Sequence, residues 1–501
     1  MNLANNLLSA ADRFPRRVAL RTEDADIDYA TFLARANRVA AEARSIGIRK
    51  GSMVGLIAPN GFAFPVAFYS MLMIGATTVP MNPLLAEREL KYYLTDTAAE
   101  LVIVEKSMME KVSSMLNDVQ IKILVLDEDG LVVGSEVSSN GAIEVCDCEE
   151  DHTALVLYTS GTTGQPKGAM LTHKNLSSNA ATTVETLHYL RPDDVLIGCL
   201  PLFHVFALSC VLNAAVTAGA SVSFMARFES EAVLERIKRD KVTVFTGVPT
   251  MYVALLNCAP GQEPTSLRTA VCGGAPMPVE VIQQFERRFN CPIYEAYGLS
   301  ETSPMASFNR PETGKRAGSV GLPVRGMEMR LIDDDGKDVA ADAIGEIAIR
   351  GDGVMKGYLN RPDATADAIK DGWFKSGDFG RRDADGFYYV VDRKKRMIIR
   401  GGYNVYPREI EDILYEIPSI MEVAVIGIKD PYFGEEVGAA VVMREGHELN
   451  APGIQEFCKV RLSPYKYPRV IWAVDSLPKT AAGKILHREV QAPEQKMPIN
   501  S

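Results

Sequence analysis

The chain has 501 residues, about three domains' worth by length. Hydrophobic residues make up 47% and charged residues 24%, which excludes a mainly disordered or collagen-like protein. A net charge of −10 leaves no basic footprint for nucleic acid, and six His leave little room for a multi-His metal centre. The eight cysteines (146, 148, 199, 210, 258, 272, 291, 458) form no C-x-x-C pair in a chain too long to need disulfide staples. They read as reduced thiols of a cytoplasmic protein. Cys146 and Cys148 beside Asp147 and Glu149 lack the partner His of a zinc site.

The opening MNLANNLLSAADRFPRRVAL has no basic stretch ahead of an apolar core, so it reads as an amphipathic helix ending near Pro15. Two stretches, Phe62 to Met81 and Ala207 to Ala226, approach the ~20 residues of a membrane span. Pro65, Gly75, Thr77, Thr78 and Pro80 interrupt the first; Asn213, Thr217 and Gly219 interrupt the second. Each is expected as a helix followed by a strand in a buried core, with no transmembrane segment. A lipid-like substrate would bring at most loose contact with a membrane surface.

Short apolar runs bounded by Gly or Pro recur at Met53–Ala58, Leu101–Val104, Lys122–Leu126, Thr153–Tyr158, Ser221–Phe224, Val242–Thr246 and Thr269–Cys272. Strands covered on both faces by helices look like this, which predicts an α/β core with mostly parallel sheets. After about Gly321 the texture alternates, at Met327–Ile332, Gly345–Arg350 and Gly386–Val391, with Asp-Gly pairs at 335–336, 352–353, 371–372 and 385–386. These predict antiparallel hairpins. A charged run follows at 392–396. The remainder predicts a small mixed unit: helix Pro407–Tyr415, strands Val423–Ile428 and Gly438–Arg444, helix Ile454–Leu462, and a frayed tail after Arg488.

The densest chemistry lies where an apolar strand runs into Thr159, Ser160, Gly161, Thr162, Thr163 and Gly164, then Pro166, Lys167 and Gly168. Glycines let backbone N–H groups approach an anion, and hydroxyls and a lysine add donors for phosphate oxygens. The spacing is not that of a Walker A loop, because Lys167 is followed by Gly168. Two decoys are set aside. Gly351–Gly357 has one residue too many for a dinucleotide fingerprint, and Gly483–Lys484 is followed by Ile485 with no Gly at 478.

The segment YTSGTTGQPKG closely resembles the signature of the adenylate-forming (ANL) superfamily, in its acyl-CoA synthetase or fatty-acid–CoA ligase branch. In the same order come PLFHV from Pro201, GGAP from Gly273, YEAYGLSET from Tyr294, GEIAIRG from Gly345, WFKSGD from Trp373, DRKK from Asp392, GGYNVYPREIE from Gly401 and PKTAAGK from Pro478. The resemblance covers about residues 10 to 490. It implies a large N-terminal domain of two helix-covered sheets plus a distorted β-barrel (1–391), a hinge (392–395) and a small mobile α+β C-terminal domain (396–501). It also implies a two-step reaction. A carboxylate attacks the α-phosphate of ATP, giving an acyl-adenylate and pyrophosphate, and the thiol of CoA then displaces AMP.

Bringing two anions together requires positive charge in the transition state. The resemblance gives that task to Lys484. It implies that Glu301 binds Mg²⁺, that Gly273, Gly274, Ala275, Glu295, Ala296, Tyr297, Gly298 and Ser300 surround the adenine and phosphates, and that Asp378, Arg393 and Asn404 contact the ribose or phosphates. Ser300 stands where the family usually has Thr. Asp392 and Lys395 match the hinge. Gly401, Gly402 and Tyr403 match the thioester-forming loop, and Arg227 a basic position near CoA. Ile399 and Gly401 stand where coumarate ligases and luciferases carry Lys. His204 matches a gate beside the acyl pocket, with a plain core His as the other reading. The pocket is expected from Phe206, Val248, Met251, Tyr252, Val271 and Met305, and no charge there meets a second carboxylate. The expected acid is a medium- to long-chain fatty acid, with aryl acids such as coumarate or benzoate as runner-up. A non-catalytic ATP- or acyl-binding protein is the alternative from another class, and intact Lys484, Glu301 and Asp378 weigh against it. The protein is expected to act alone or as a homodimer.

Overall fold

Unbroken apolar runs become the centres of two parallel sheets, because strands buried on both faces have no solvent side to make polar. The computed structural model describes residues 1–493 except 117–118, 136–142, 160–164, 262, 341 and 394. Among the described residues the first sheet has nine strands. Its parallel body is Ile293–Gly298, Thr269–Gly273, Val244–Gly247, Val195–Gly198, Ser221–Phe224 and Val18–Arg21, in that spatial order. The second has seven strands. Thr153–Thr159, Thr77–Pro80, Met53–Ile57, Leu101–Glu105 and Lys122–Leu126 run parallel, with Lys167–Thr172 antiparallel beside Thr153–Thr159.

Both suspected membrane stretches are helix plus strand, as expected. Ala63–Met73 passes through Gly75 (φ +72°) into Thr77–Pro80, and a helix ending at Ala218 turns at Gly219 (φ +74°) into Ser221–Phe224. Among the described residues no helix is long and apolar enough to cross a membrane. The second helix carries a π-turn at Leu208–Asn213, and a second π-turn lies at Thr183–Leu187 on the helix packed against it.

The alternating region forms a five-stranded antiparallel sheet. Met327–Ile332 pairs with Gly345–Gly351, and Trp373–Arg382 with Tyr388–Arg393. Asp371 (φ +51°) and Gly372 (φ +77°) form a two-residue hairpin turn of the expected kind. Asp352–Gly353 does not. The Asn175 side chain donates to the Asp352 and Val354 carbonyls (2.7 and 3.0 Å), and the chain crosses to the seven-stranded sheet at Gly357–Tyr358. The expected barrel is open: a Gly321–Tyr388 bridge, rather than a full ladder, ties this sheet to the nine-stranded one.

The last sheet gathers Ile398–Arg400, Tyr403–Val405, Ile420–Asp430, Gly434–Met443 and Val470–Ala473, with helices Pro407–Leu414 and Ala451–Lys459. Its apolar cluster, from Ile398 to Tyr467, shares no residue with the large core before it. Across the junction Arg408 donates to the Val390 carbonyl and Arg444 to the Asn257 side chain, and Met421 packs against the large core.

Gly321 packs closely on strand Met305–Phe308 where the chain meets the antiparallel sheet. It lies at φ +79°, and a Cβ there would come 2.0 Å from the backbone of Phe308. Gly321→Ala is expected to cost about 2–5 kcal/mol, the sum of left-handed strain and overpacking. Gly314 has the same handedness (φ +82°) in open space, so Gly314→Ala should cost only about 1–2 kcal/mol. Denaturant midpoints at unchanged m-value check the pair.

Candidate active site

The carboxyl ends of parallel strands are where an open α/β sheet leaves a crevice. Here His204 follows strand Val195–Gly198, Val248 follows Val244–Gly247, Gly274 follows Thr269–Gly273, and Glu301 follows Ile293–Gly298. Thr159 reaches the same place from the seven-stranded sheet, Asp378 and Arg393 from the antiparallel sheet, and Lys484 from the C-terminal segment.

The Lys484 loop is held at both ends. Its N–H donates to Thr480 Oγ1 (3.1 Å), its carbonyl accepts from the Thr480 N–H (2.8 Å), and the Thr250 hydroxyl donates to the Gly483 carbonyl (2.7 Å). A Cβ at Gly274 would lie 2.7 Å from Lys484 Cε, so glycine there makes room for the lysine stem. Burial, helped by the Arg393 charge, pulls the amine down to about 8, while Asp378 and Glu301 pull it back up. Burial also pushes the His204 imidazole down to about 3, with the Lys484 ammonium adding to it, so the ring beside the lysine is neutral.

Asp378 stands opposite Arg393 in the strand ladder, and the Arg393 Nε lies 3.1 Å from its Oδ1. The Tyr297 phenol donates to its Oδ2 at 2.8 Å. Burial raises the Asp378 carboxyl above its ordinary range, and Arg393 opposes the rise. Glu301 Oε1 accepts from the Thr159 hydroxyl (3.2 Å) and the Tyr358 phenol (2.9 Å). The Lys167 amine stands 5.2 Å above the Tyr358 ring. Gly298 is held by sterics: a Cβ would lie 1.6 Å from the Pro304 carbonyl oxygen.

The structure thus brings together Lys484, Glu301, His204, Thr159, Lys167, Gly273, Gly274, Ala296, Tyr297, Gly298, Asp378 and Arg393. Ala275 and Ser300 are half-buried on the same strand ends. Ser160, Gly161, Thr162, Thr163 and Gly164 lie outside the described residues. Glu295, two residues before Tyr297 on the same face of its strand, is buried, and burial lifts it to about 8 against the Arg408 charge. Asp392 is also buried, accepting from the Arg408 N–H (3.0 Å), and Lys395 is exposed. Gly401, Gly402, Tyr403 and Asn404 form an exposed hairpin whose partners are Phe433, Glu435 and Tyr465, none of them in the Lys484 cluster. Arg227 is exposed.

Phe206, Val248, Val271, Met251 and Met305 are buried. A Cβ at Gly273 would meet the Phe206 ring at 3.0 Å, which sets Phe206 on the face covered by the helices between 173 and 218. Tyr252 is a correction. It stacks edge-on between Phe245 and Phe285 (5.1 and 5.0 Å), and its hydroxyl donates to the Val271 carbonyl (2.7 Å). Its helix covers the other face of the sheet, so it belongs to the core. Tyr358 and Thr250 join the site without a sequence signal. Tyr358 sits just beyond the Gly351–Gly357 decoy, and nothing in the spacing announces either residue.

The AMP-binding enzyme family matches residues 7–359, and the AMP-binding enzyme C-terminal domain matches residues 409–484. The chain belongs to the AMP-binding enzyme family. It is 33% identical to a long-chain-fatty-acid–CoA ligase of Bacillus subtilis (97% of this chain, 94% of that one). It is 36% identical to a feruloyl-CoA synthase of an Amycolatopsis species (95% and 96%). Its fold matches ATP-bound MatB from Rhodopseudomonas palustris with a TM-score of 0.89 at 31% identity, covering 97% of each chain. The protein is an AMP-forming acyl-CoA synthetase with the α/β architecture the motifs implied, built on the cluster just described.

Only the protonated amine of Lys484 would offset the charge of two anions brought together at this cluster. With its pKa held near 8, adenylation kcat/KM should fall as pH rises through about 8. In Lys484→Arg the side chain stays charged, so that limb should vanish even though the altered geometry lowers the rate. A pH profile of carboxylate-dependent ATP–pyrophosphate exchange reads both.

Proposed function

We propose that the enzyme joins monocarboxylic acids with apolar bodies to CoA through an acyl-adenylate, using ATP. The observation that carries this reading is the convergence of Lys484 on Asp378, Glu301 and the glycine at 274. A carboxylate oxygen attacks the α-phosphorus and pyrophosphate leaves. The thiol sulfur then attacks the acyl carbonyl, AMP leaves and the thiol proton is released. Lys484 bridges the two anions in the first step, where a compact ammonium offsets charge that develops between them. Asp378, acceptor-only when ionised, takes the ribose hydroxyls, and Tyr297 and Arg393 fix its two oxygens. His204, neutral, separates the nucleotide from the acid.

The oxygen donors at Glu301 and Thr159 suit a hard cation and would hold Mg²⁺. When bound, that ion offsets charge on the phosphate oxygens. Asp392–Lys395 is the hinge about which residues 396–501 rotate between steps. The present arrangement, with Lys484 at the strand ends and the Gly401–Gly402 turn exposed, corresponds to adenylation. Rotation would carry Lys484 out and bring that turn to the site for thioester formation.

The residues expected to line the acyl site, among them Phe206, Val248 and Met305, are buried and carry no charge, which supports an acid with an apolar body. CoA-dependent AMP release across C2 to C18, aryl and dicarboxylic acids tests this; a maximum on a dicarboxylic acid would refute it.

Lys484→Ala should lower adenylation by about 3–4 kcal/mol, the scale of one electrostatic stabiliser. Thioester formation from a supplied acyl-adenylate should be nearly unchanged. Equal losses in the two half-reactions would show that Lys484 does not act in adenylation alone.

A further inference from the structure

The mouth of the hairpin between strands Thr153–Thr159 and Lys167–Thr172 is framed by Tyr92, Asp96 and Arg361, which no motif includes. Thr159 pairs with Lys167 and Tyr158 with Gly168 in the antiparallel ladder, so the two ends of the hairpin are neighbours. Helix Glu87–Asp96 lies against them, anchored by the buried Leu90 and Leu94. Its Tyr92 hydroxyl donates at 2.9 Å to the carbonyl of Pro166, one residue before Lys167. Its Tyr93 ring stacks on Tyr158, one residue before Thr159, with centroids 3.9 Å apart and planes 8° from parallel. The Tyr158 hydroxyl donates to Asp96 Oδ2 at 2.8 Å. Tyr92 and Asp96 stand four residues apart and share a helix face. One helix therefore holds both ends of the hairpin.

A third segment closes the frame. After Gly357–Tyr358, the Leu359 N–H donates to the Gly168 carbonyl (2.8 Å) and the Asn360 side chain to the Asp96 carbonyl (2.6 Å). Arg361 Nη2 then donates to the Tyr92 oxygen (3.2 Å) and lies 3.2 Å from Asp96 Oδ1. The Asp96 side chain is only 9% exposed, so its charge depends on the guanidinium and the phenol that face it. A phenol that accepts from a guanidinium is polarised into a stronger donor, here toward the Pro166 carbonyl. Tyr358, on the same segment, gives its hydroxyl to Glu301 and its ring to the Lys167 amine.

We propose that Tyr92, with Arg361 and Asp96 behind it, is a positioning residue for the triphosphate: through Pro166 it sets the Thr159 and Lys167 ends of the hairpin so that their donors meet the phosphate oxygens of ATP, and those of pyrophosphate in the reverse direction. The inference rests on the reading of that hairpin as the phosphate site and deepens it. Donors held in place in advance count most where charge moves between phosphates. Thioester formation starts from the acyl-adenylate and has no pyrophosphate to hold, so it does not draw on this frame.

The experiment follows both half-reactions in Tyr92→Phe, which keeps the ring and removes only the hydroxyl. The KM for ATP, and that for pyrophosphate in the exchange assay, should rise roughly 3- to 10-fold, the scale of one lost hydrogen bond, while the KM for the acid stays the same. AMP release from a supplied acyl-adenylate and CoA should be unchanged. Arg361→Ala should raise the KM for ATP in the same way, and Arg361→Lys, a single cation without the fork, should recover part of the loss. An unchanged KM for ATP in Tyr92→Phe overturns the proposal. So do equal losses in the two half-reactions, which is what a smaller folded fraction alone would give. Should Tyr92→Phe fail to fold, the two Arg361 variants decide the matter by the same split. Lys167→Ala tests the reading underneath: if it too leaves the KM for ATP unchanged, the hairpin is not the phosphate site and both fall. If Lys167→Ala raises that KM and Tyr92→Phe does not, the inference alone falls.

Discussion

The Lys484 ammonium lies where water is scarce, and the Asp378 and Glu301 carboxylates are what keep it charged there. Three separately folded pieces have to agree for this to hold. Asp378 comes from the antiparallel sheet, Glu301 from the end of a parallel strand, and the lysine from a loop tied to Thr250. Burial and the Arg393 charge work against the ammonium, so its charge at neutral pH is a balance of opposing effects. Any further negative charge brought to this cluster tips the balance toward the protonated form.

Glycine matters at this seam for two different reasons. At 274 it clears the path of the lysine stem, and at 298 it lets two backbones meet where a single Cβ would overlap the Pro304 carbonyl. The first serves the lysine's approach; the second fixes the strand end that presents Glu301. Contacts from Arg408, Arg444 and Met421 cross the junction to the last sheet.

Much of this is legible in the chain. Apolar runs mark the parallel strands because both their faces are covered, and Asp371–Gly372 marks a true hairpin because its backbone needs positive φ. Asp352–Gly353 looks the same, but the Asn175 side chain captures the carbonyls on either side of Gly353, which no local pattern reveals. Tyr252 is misplaced by sequence because helical spacing says that a residue is buried without saying which face of a sheet the helix covers. The Asp378–Arg393 pair is a product of strand register, and His188 and Thr246 are joined across 58 residues. Site chemistry carried by one ordered motif set is readable; chemistry made by pairing distant elements is not.

Val248, at the end of Val244–Gly247, stands beside Gly274 and the Lys484 stem, and Thr246 on the same face stands beside the His188 imidazole. Two residues of extended chain separate them by ~7 Å. The outer position is set by backbone and by the glycines around it. The inner position is lined by side chains on two π-turns, where a widened helix can admit a different residue without moving the strand.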